Sequence, residues 1–199
     1  FPDSVKKISD KLIGIFFEDI NYAADGGLYG ELVQNRDFEY SQSDGSNRKD
    51  WNSKYAWSVN NADKGDMIFT IETDSPIHNN NPHYAKLDVI AVGASLSNEG
   101  FDGISIKEGE DYILTIFSKL LSGKNSKVNV KLVGEDGTVL ASSNINVKGG
   151  KWYNSETKMK ASASSKKSKL VITPLTEGSY AFDMISLFPV NTFKNRSNG

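Results

Sequence analysis

From residue 51 onward the chain is cut into short β-forming runs by turn residues, and hardly any helical period survives past residue 40. Met67 to Thr73 (MIFTIET) alternates apolar and polar positions. Ala85 to Val92 and Asp111 to Leu121 are longer and more continuously apolar. Lys127 to Gly134 places Val128, Val130 and Leu132 on one face. Glu135-Asp136-Gly137 then makes a tight turn and Thr138 to Val147 returns, which predicts a hairpin. Trp152 to Lys160 alternates weakly, and Leu170-Val171-Ile172 and Tyr180 to Phe188 supply the last strands. Strands at this spacing predict an all-β fold, an antiparallel jelly-roll β-sandwich over residues 34–190.

The first forty residues do not match that pattern. Leu12 to Ile20 is an apolar run that ends in the carboxylates Glu18 and Asp19. Gly26-Gly27 makes a turn, and Leu28, Leu32 and Val33 follow at helical spacing. A strand, a polar tip and a helix form the first unit of a (β/α)8 barrel, in which active sites lie at the C-terminal ends of the strands. Left without neighbours, such a strand would expose unpaired backbone and apolar side chains, so it is expected to dock on the sandwich or to pair with another chain. After Tyr40 the polar stretch SQSDGSNRKD reads as a loop.

Composition narrows the partners. A net charge of −2 over 199 residues argues against a nucleic-acid-binding surface. No cysteine means no disulfide and no thiolate metal site. No apolar run approaches the ~20 residues of a membrane span. Phe1-Pro2-Asp3 reads as a mature or engineered start rather than a signal peptide.

The run GIFFEDINYAADGGLYGELVQNRDFEY resembles the start of the family-51 glycoside hydrolases, the α-L-arabinofuranosidases. Asn81-Pro82-His83-Tyr84, Asn98 to Gly103 and Phe182 to Pro189 are similar to phrases of the same family, so the resemblance covers nearly the whole chain. It implies an N-terminal fragment: residues 1–33 from a truncated catalytic barrel, an inserted carbohydrate-binding-module-like sandwich of galactose-binding-like type at 34–190, and a link back to the barrel at 191–199. The parent would be a secreted bacterial enzyme, extracellular or periplasmic. It would remove terminal arabinofuranosyl groups from arabinan and other hemicellulose with retention. That reaction needs two carboxyl groups roughly 5 Å apart. The family draws both glutamates from later barrel strands, so the fragment itself is expected to be inactive. Its implied partners are an arabinose-containing plant polysaccharide or oligosaccharide and the missing barrel, with no nucleic acid and no membrane. An alternative is a purely structural sandwich that braces the barrel and shapes its cleft.

The resemblance also implies site residues. Glu18 would contact arabinose in the parent enzyme as a substrate-binding residue; its bland reading is a solvated strand end. Glu39 and Asp183 match positions that hold a structural calcium (Ca2+) between first and last strands in jelly-roll modules. Their bland reading is a partner for a nearby cation or amide and a strand cap. Sugar binding needs exposed aromatic faces with hydrogen-bonding neighbours. Trp51, Tyr84, Phe101 and Trp152 are the candidates, though any single one of them reads more readily as core or interface. Trp57, in the alternation Tyr55-Trp57-Val59, reads as core. His78 and His83 flank a turn-rich loop without an evident third metal ligand and read as hydrogen-bonding or packing residues. Gly26-Gly27 lacks the flanking pattern of a phosphate loop. Lys166, Lys167 and Lys169 read as a solvated strand end.

Overall fold

The computed structural model describes residues 9, 11–14, 16, 18, 22–43, 48, 50–61, 66–123 and 126–196. Eleven strands are found among them: β1 (Trp57–Asn60), β2 (Asp66–Glu72), β3 (Tyr84–Ala91), β4 (Ser95–Asn98), β5 (Ile104–Ile106), β6 (Asp111–Ser122), β7 (Ser126–Val133), β8 (Val139–Val147), β9 (Tyr153–Lys160), β10 (Ser165–Pro174) and β11 (Gly178–Pro189). They form two antiparallel sheets. The first runs β1-β4-β10-β7-β8, with β5 also paired to β10; the second runs β2-β3-β11-β6-β9. This is the expected all-β sandwich. Among the described residues no helix is long and apolar enough to cross a membrane.

Alternation decides which side of each strand is buried. Along β6, Tyr112, Leu114, Ile116, Ser118 and Leu120 point inward. Val128, Val130 and Leu132 of β7 and Leu170 and Ile172 of β10 meet them from the other sheet. Burial of one such aliphatic side chain stabilises the fold by about 1.5–3 kcal/mol. The predicted hairpin is present, with Leu132 opposite Ala141 and Val133 opposite Val139. Asp136 holds its turn by accepting from the Thr138 amide at 2.9 Å, and Gly137 sits at φ +85°. Tyr180 is fully buried, yet its hydroxyl reaches Ser126 Oγ at 2.6 Å and Thr176 Oγ1 at 2.8 Å.

Strand β11 departs from simple alternation. Tyr180 to Asp183 are buried in succession, so both faces of the strand are covered. A register shift between Asp183 and Ser186, with Met184 at φ +46°, bends the strand away from regular pairing. The edge of β11 past its pairing with β3 is taken by residues 31–36. The Leu32 amide donates to Leu187 O at 3.2 Å, and the Ile185 amide donates to Arg36 O at 2.9 Å.

The helix expected over Leu28 to Val33 is therefore not formed. Residues 22–38 run as turns, an isolated Asp25–Tyr29 bridge and left-handed positions at Tyr22, Asn35 and Phe38. Contacts with β11 outweigh local helical preference, which amounts to only tenths of a kcal/mol per residue. The expected barrel strand is not seen either. Leu12, Ile13, Gly14, Phe16 and Glu18 carry no strand assignment and are exposed, Phe16 by 87%. A strand needs a bonded neighbour, and these residues have none in the sandwich. They are not docked on it. Ile15, Phe17, Asp19 and Ile20 lie outside the described residues.

Candidate functional site

Glu31 anchors the segment that frames the outer face of the second sheet. Its side chain is fully buried and its carboxylate accepts from the Leu32 and Val33 amides at 3.0 Å, the Leu187 amide at 2.9 Å and Ser186 Oγ at 2.6 Å. Burial raises its pKa above the usual glutamate value; those hydrogen bonds and Arg36 oppose the rise. So fixed, the segment places Tyr29 edge-on to Phe188, with centroids 5.2 Å apart at 80°. Arg36 lies 5.3 Å from the Tyr29 ring centroid and donates to the Tyr29 hydroxyl at 3.3 Å.

These groups border a groove of about 540 Å3 on the sheet's outer face. Ile113, Thr115 and Phe117 of β6 point outward into it, beside Met184 and Phe188 of β11. Glu156 of β9, with Arg36 and Arg196, adds charge at the margins. Aromatic edges and faces for C–H surface, flanked by a carboxylate and guanidinium groups for hydroxyls, are what a sugar ring requires.

A second polar cluster lies at the other end of the same segment. The carboxylate of Glu39 meets His83 twice, at its amide (2.8 Å) and at Nδ1 (2.6 Å). Asp183 is fully buried and accepts from Asn81 Nδ2 at 2.9 Å and the Met184 amide at 2.7 Å. Burial lifts Asp183 to about 7, and the charges of Asp37 and Glu39 push the same way. Calcium takes roughly six to eight oxygen ligands. Here both Glu39 oxygens are engaged by His83. Among the described residues no group of three or more His, Cys, Asp or Glu side chains is placed to hold a metal ion. The side chains as they stand do not fit the calcium expected at Glu39 and Asp183. His78 is likewise structural, its Nδ1 accepting from the Asn80 amide at 3.1 Å.

The four aromatic candidates fall into three places. Trp51 stacks on Tyr40 at 4.7 Å and 12°, with Tyr55 4.3 Å away and Arg48 over the rings of both Trp51 and Tyr55. Phe101 meets Tyr22 edge-on at 5.1 Å, and its ring fills the space where a Cβ on Gly26 would stand. Tyr84 is only 4% exposed, donates to Asp74 O at 2.9 Å and packs edge-on against Trp152 at 5.3 Å. Buried at the start of β3, it offers no ring face to a ligand. Trp152 is fixed by its indole N–H on Ser75 O at 3.0 Å. Trp57 is core, as its alternation predicts, and donates to Asn35 O at 2.8 Å.

No family model matches the chain. An extracellular exo-α-L-arabinofuranosidase of Streptomyces chartreusis is 34% identical over 193 residues, covering 96% of this chain and 22% of that protein. The arabinose-bound α-L-arabinofuranosidase MgGH51 superposes with a TM-score of 0.77 at 29% identity, over 92% of this chain and 30% of that one. The chain is a homologue of a segment of the α-L-arabinofuranosidases. It spans about a fifth to a third of the length of these relatives. A CBM4 carbohydrate-binding module superposes with a TM-score of 0.52 at 15% identity, over 79% of this chain and 99% of the module, a likeness of fold.

Glu18 is exposed and stands among none of the groups that form the groove. None of the groove's residues was singled out from sequence. Tyr29 and Arg36 lie on one segment and Phe117 and Phe188 on two strands far along the chain, and the bonds of Glu31 and Leu32 to β11 bring them together. One signal was available: the outward positions Ile113 and Phe117 of β6 are as apolar as its inward ones, where a solvated face would be polar.

Proposed function

We propose that the chain is the carbohydrate-binding accessory domain of a secreted α-L-arabinofuranosidase, and that the groove over β9, β6 and β11 takes an arabinose-containing polysaccharide or oligosaccharide. The groove carries this reading: a preformed depression whose aromatic groups and charged margins suit a sugar, on a sandwich with the fold of carbohydrate-binding modules. Hydrolysis of terminal arabinofuranosyl linkages would belong to the complete enzyme. Residues 1–21 would then join a catalytic barrel whose glutamates lie outside this chain, while residues 22–38 stay with the sandwich, and Glu18 would reach substrate only in that barrel. Calorimetric titration with arabinan, arabinoxylan and arabino-oligosaccharides tests the reading. Binding that is lost in Phe117→Ala and Tyr29→Ala supports it; absence of heat with every glycan refutes it.

Specific observations favour a second, structural reading. Phe16, Leu28 and Phe193 are exposed, and Tyr29 and Arg196 from opposite ends of the described chain border one groove. In that reading the domain braces the barrel and binds no sugar by itself. Association with the separately expressed remainder of the enzyme, without glycan binding, would select it.

A further inference from the structure

The floor of the groove on the second sheet is more apolar than a solvated sheet face requires, and one of its side chains is held there by a strained backbone. Cross-strand pairing sets Phe188 of β11 opposite Ile113 of β6, so the two share the outer face. The register shift between Asp183 and Ser186 adds Met184 and Ile185 to β11. Ile185 is buried, whereas Met184 is half-buried and lines the groove. Met184 takes φ +46°, and its amide donates to the Asp183 carboxylate at 2.7 Å. Glycine enters that left-handed region freely, but a residue with a Cβ crowds the following carbonyl oxygen. A long side chain kept at such a position marks a place where strain and ligand contact go together.

The same floor offers little to hydroxyl groups. Among the described residues its polar side chains are Thr115 and Ser186, and Ser186 Oγ is already bonded to Glu31 at 2.6 Å. The groups able to bond a ligand stand at the margins. Arg36, set by the ring and hydroxyl of Tyr29, lies on the β11 side, and Glu156 lies on the β9 side. A bare furanose carries hydroxyls around a small ring. Laid on this floor it would trade water for apolar side chains that return no hydrogen bonds. The arrangement fits a ligand that is apolar over the floor and polar at the rim.

We propose that the groove selects an arabinofuranosyl group esterified with an aromatic acid, the acid's ring lying on Ile113, Phe117, Met184 and Phe188 and the ester and sugar at the margins. The inference rests on the reading of the domain as a glycan binder and narrows its ligand. Phenylalanine rings meet another ring edge-on or offset, and the polarizable thioether of Met184 adapts to a ring edge. The Arg36 guanidinium donates to the ester carbonyl, and the Glu156 carboxylate accepts from sugar hydroxyls. At about 540 Å3 the groove is within the size range that encloses ligands larger than one pentose.

Titration of the chain with an arabinotriose, and with the same trisaccharide carrying one feruloyl (4-hydroxy-3-methoxycinnamoyl) ester, tests this. The esterified ligand is expected to bind about tenfold tighter, the effect of taking about 60 Å2 of apolar ring surface out of water. Met184→Gly and Ile113→Thr should each remove most of that gain and leave the bare trisaccharide bound to within about twofold of the unmodified chain. Met184→Gly should also keep the melting temperature of the unmodified chain, because glycine takes the left-handed position without strain. A loss of affinity with no loss of stability separates ligand contact from a structural role. If both ligands bind equally, or if neither variant touches the gain, the aryl slot is wrong and the groove stands as a sugar site. If neither ligand binds the unmodified chain, the reading beneath it falls.

Discussion

Glu31 offers the sharpest test of how the groove is held. Replacing it by alanine deletes the acceptor for the Val33 and Leu187 amides and for Ser186 Oγ. The Leu32 amide keeps Leu187 O at 3.2 Å. Each buried donor left unpaired costs about 1–3 kcal/mol, so the three left by Glu31→Ala should cost about 3–9 kcal/mol, a large share of the ~5–15 kcal/mol typical of a domain. Glu31→Gln keeps an amide oxygen for the backbone amides, turns its NH2 toward Ser186 Oγ, which then accepts, and gives up a buried charge, so its cost should stay at about 1 kcal/mol. In urea, with a slope of about 2 kcal/mol per molar, the alanine variant should unfold at least ~1.5 M earlier than the parent. Tyr29 and Arg36 would also lose their fixed position, so groove binding should fall with stability in the alanine variant and survive in glutamine. An alanine variant within about 1 kcal/mol of the parent, or a glutamine variant as weak as alanine, would refute the anchor.

Other outcomes follow from the same geometry. Asp183 titrates at about 7 in the fold against 3.8 as its ordinary value, so the folded state holds the extra proton. The stability this confers is complete below about pH 4 and is lost as pH rises through about 7, on the order of 4 kcal/mol at most; Asp183→Asn should flatten that slope in pH-dependent unfolding. Because Glu39 is occupied by His83, EDTA and calcium chloride should each leave the melting temperature unchanged, and a calcium-dependent rise would show that the pair opens to a cation. Trp57→Phe leaves Asn35 O without its indole donor and should cost about 1–2 kcal/mol in urea unfolding, without altering affinity for any glycan.

The sandwich was legible where its strands are long and half-buried. Strands β6 and β7 announce themselves by period, and the β7–β8 hairpin by Glu135-Asp136-Gly137. The short strands β4 and β5 did not: SLSN and ISI are too brief for any period, and pairing with β10 makes them strands. The missing helix has a similar cause. Leu28, Leu32 and Val33 have helical spacing, but only Val33 is buried, and amides that a helix would use inwardly bond to Glu31 and β11. The candidate site was least legible. Trp51, Phe101, Tyr84 and Trp152 drew notice because aromatic rings beside polar loops are visible one residue at a time. A groove made by Tyr29 with Phe117 and Phe188 depends on contacts across nearly 160 residues.

The central claim is that this domain binds glycan on the outer face of its second sheet. Amide chemical-shift mapping during titration with arabino-oligosaccharides tests it most directly. Saturable shifts gathered on β6, β11 and the Tyr29–Arg36 segment are the predicted result. A spectrum unmoved at millimolar oligosaccharide, or shifts confined to Trp51 and Trp152, would contradict it.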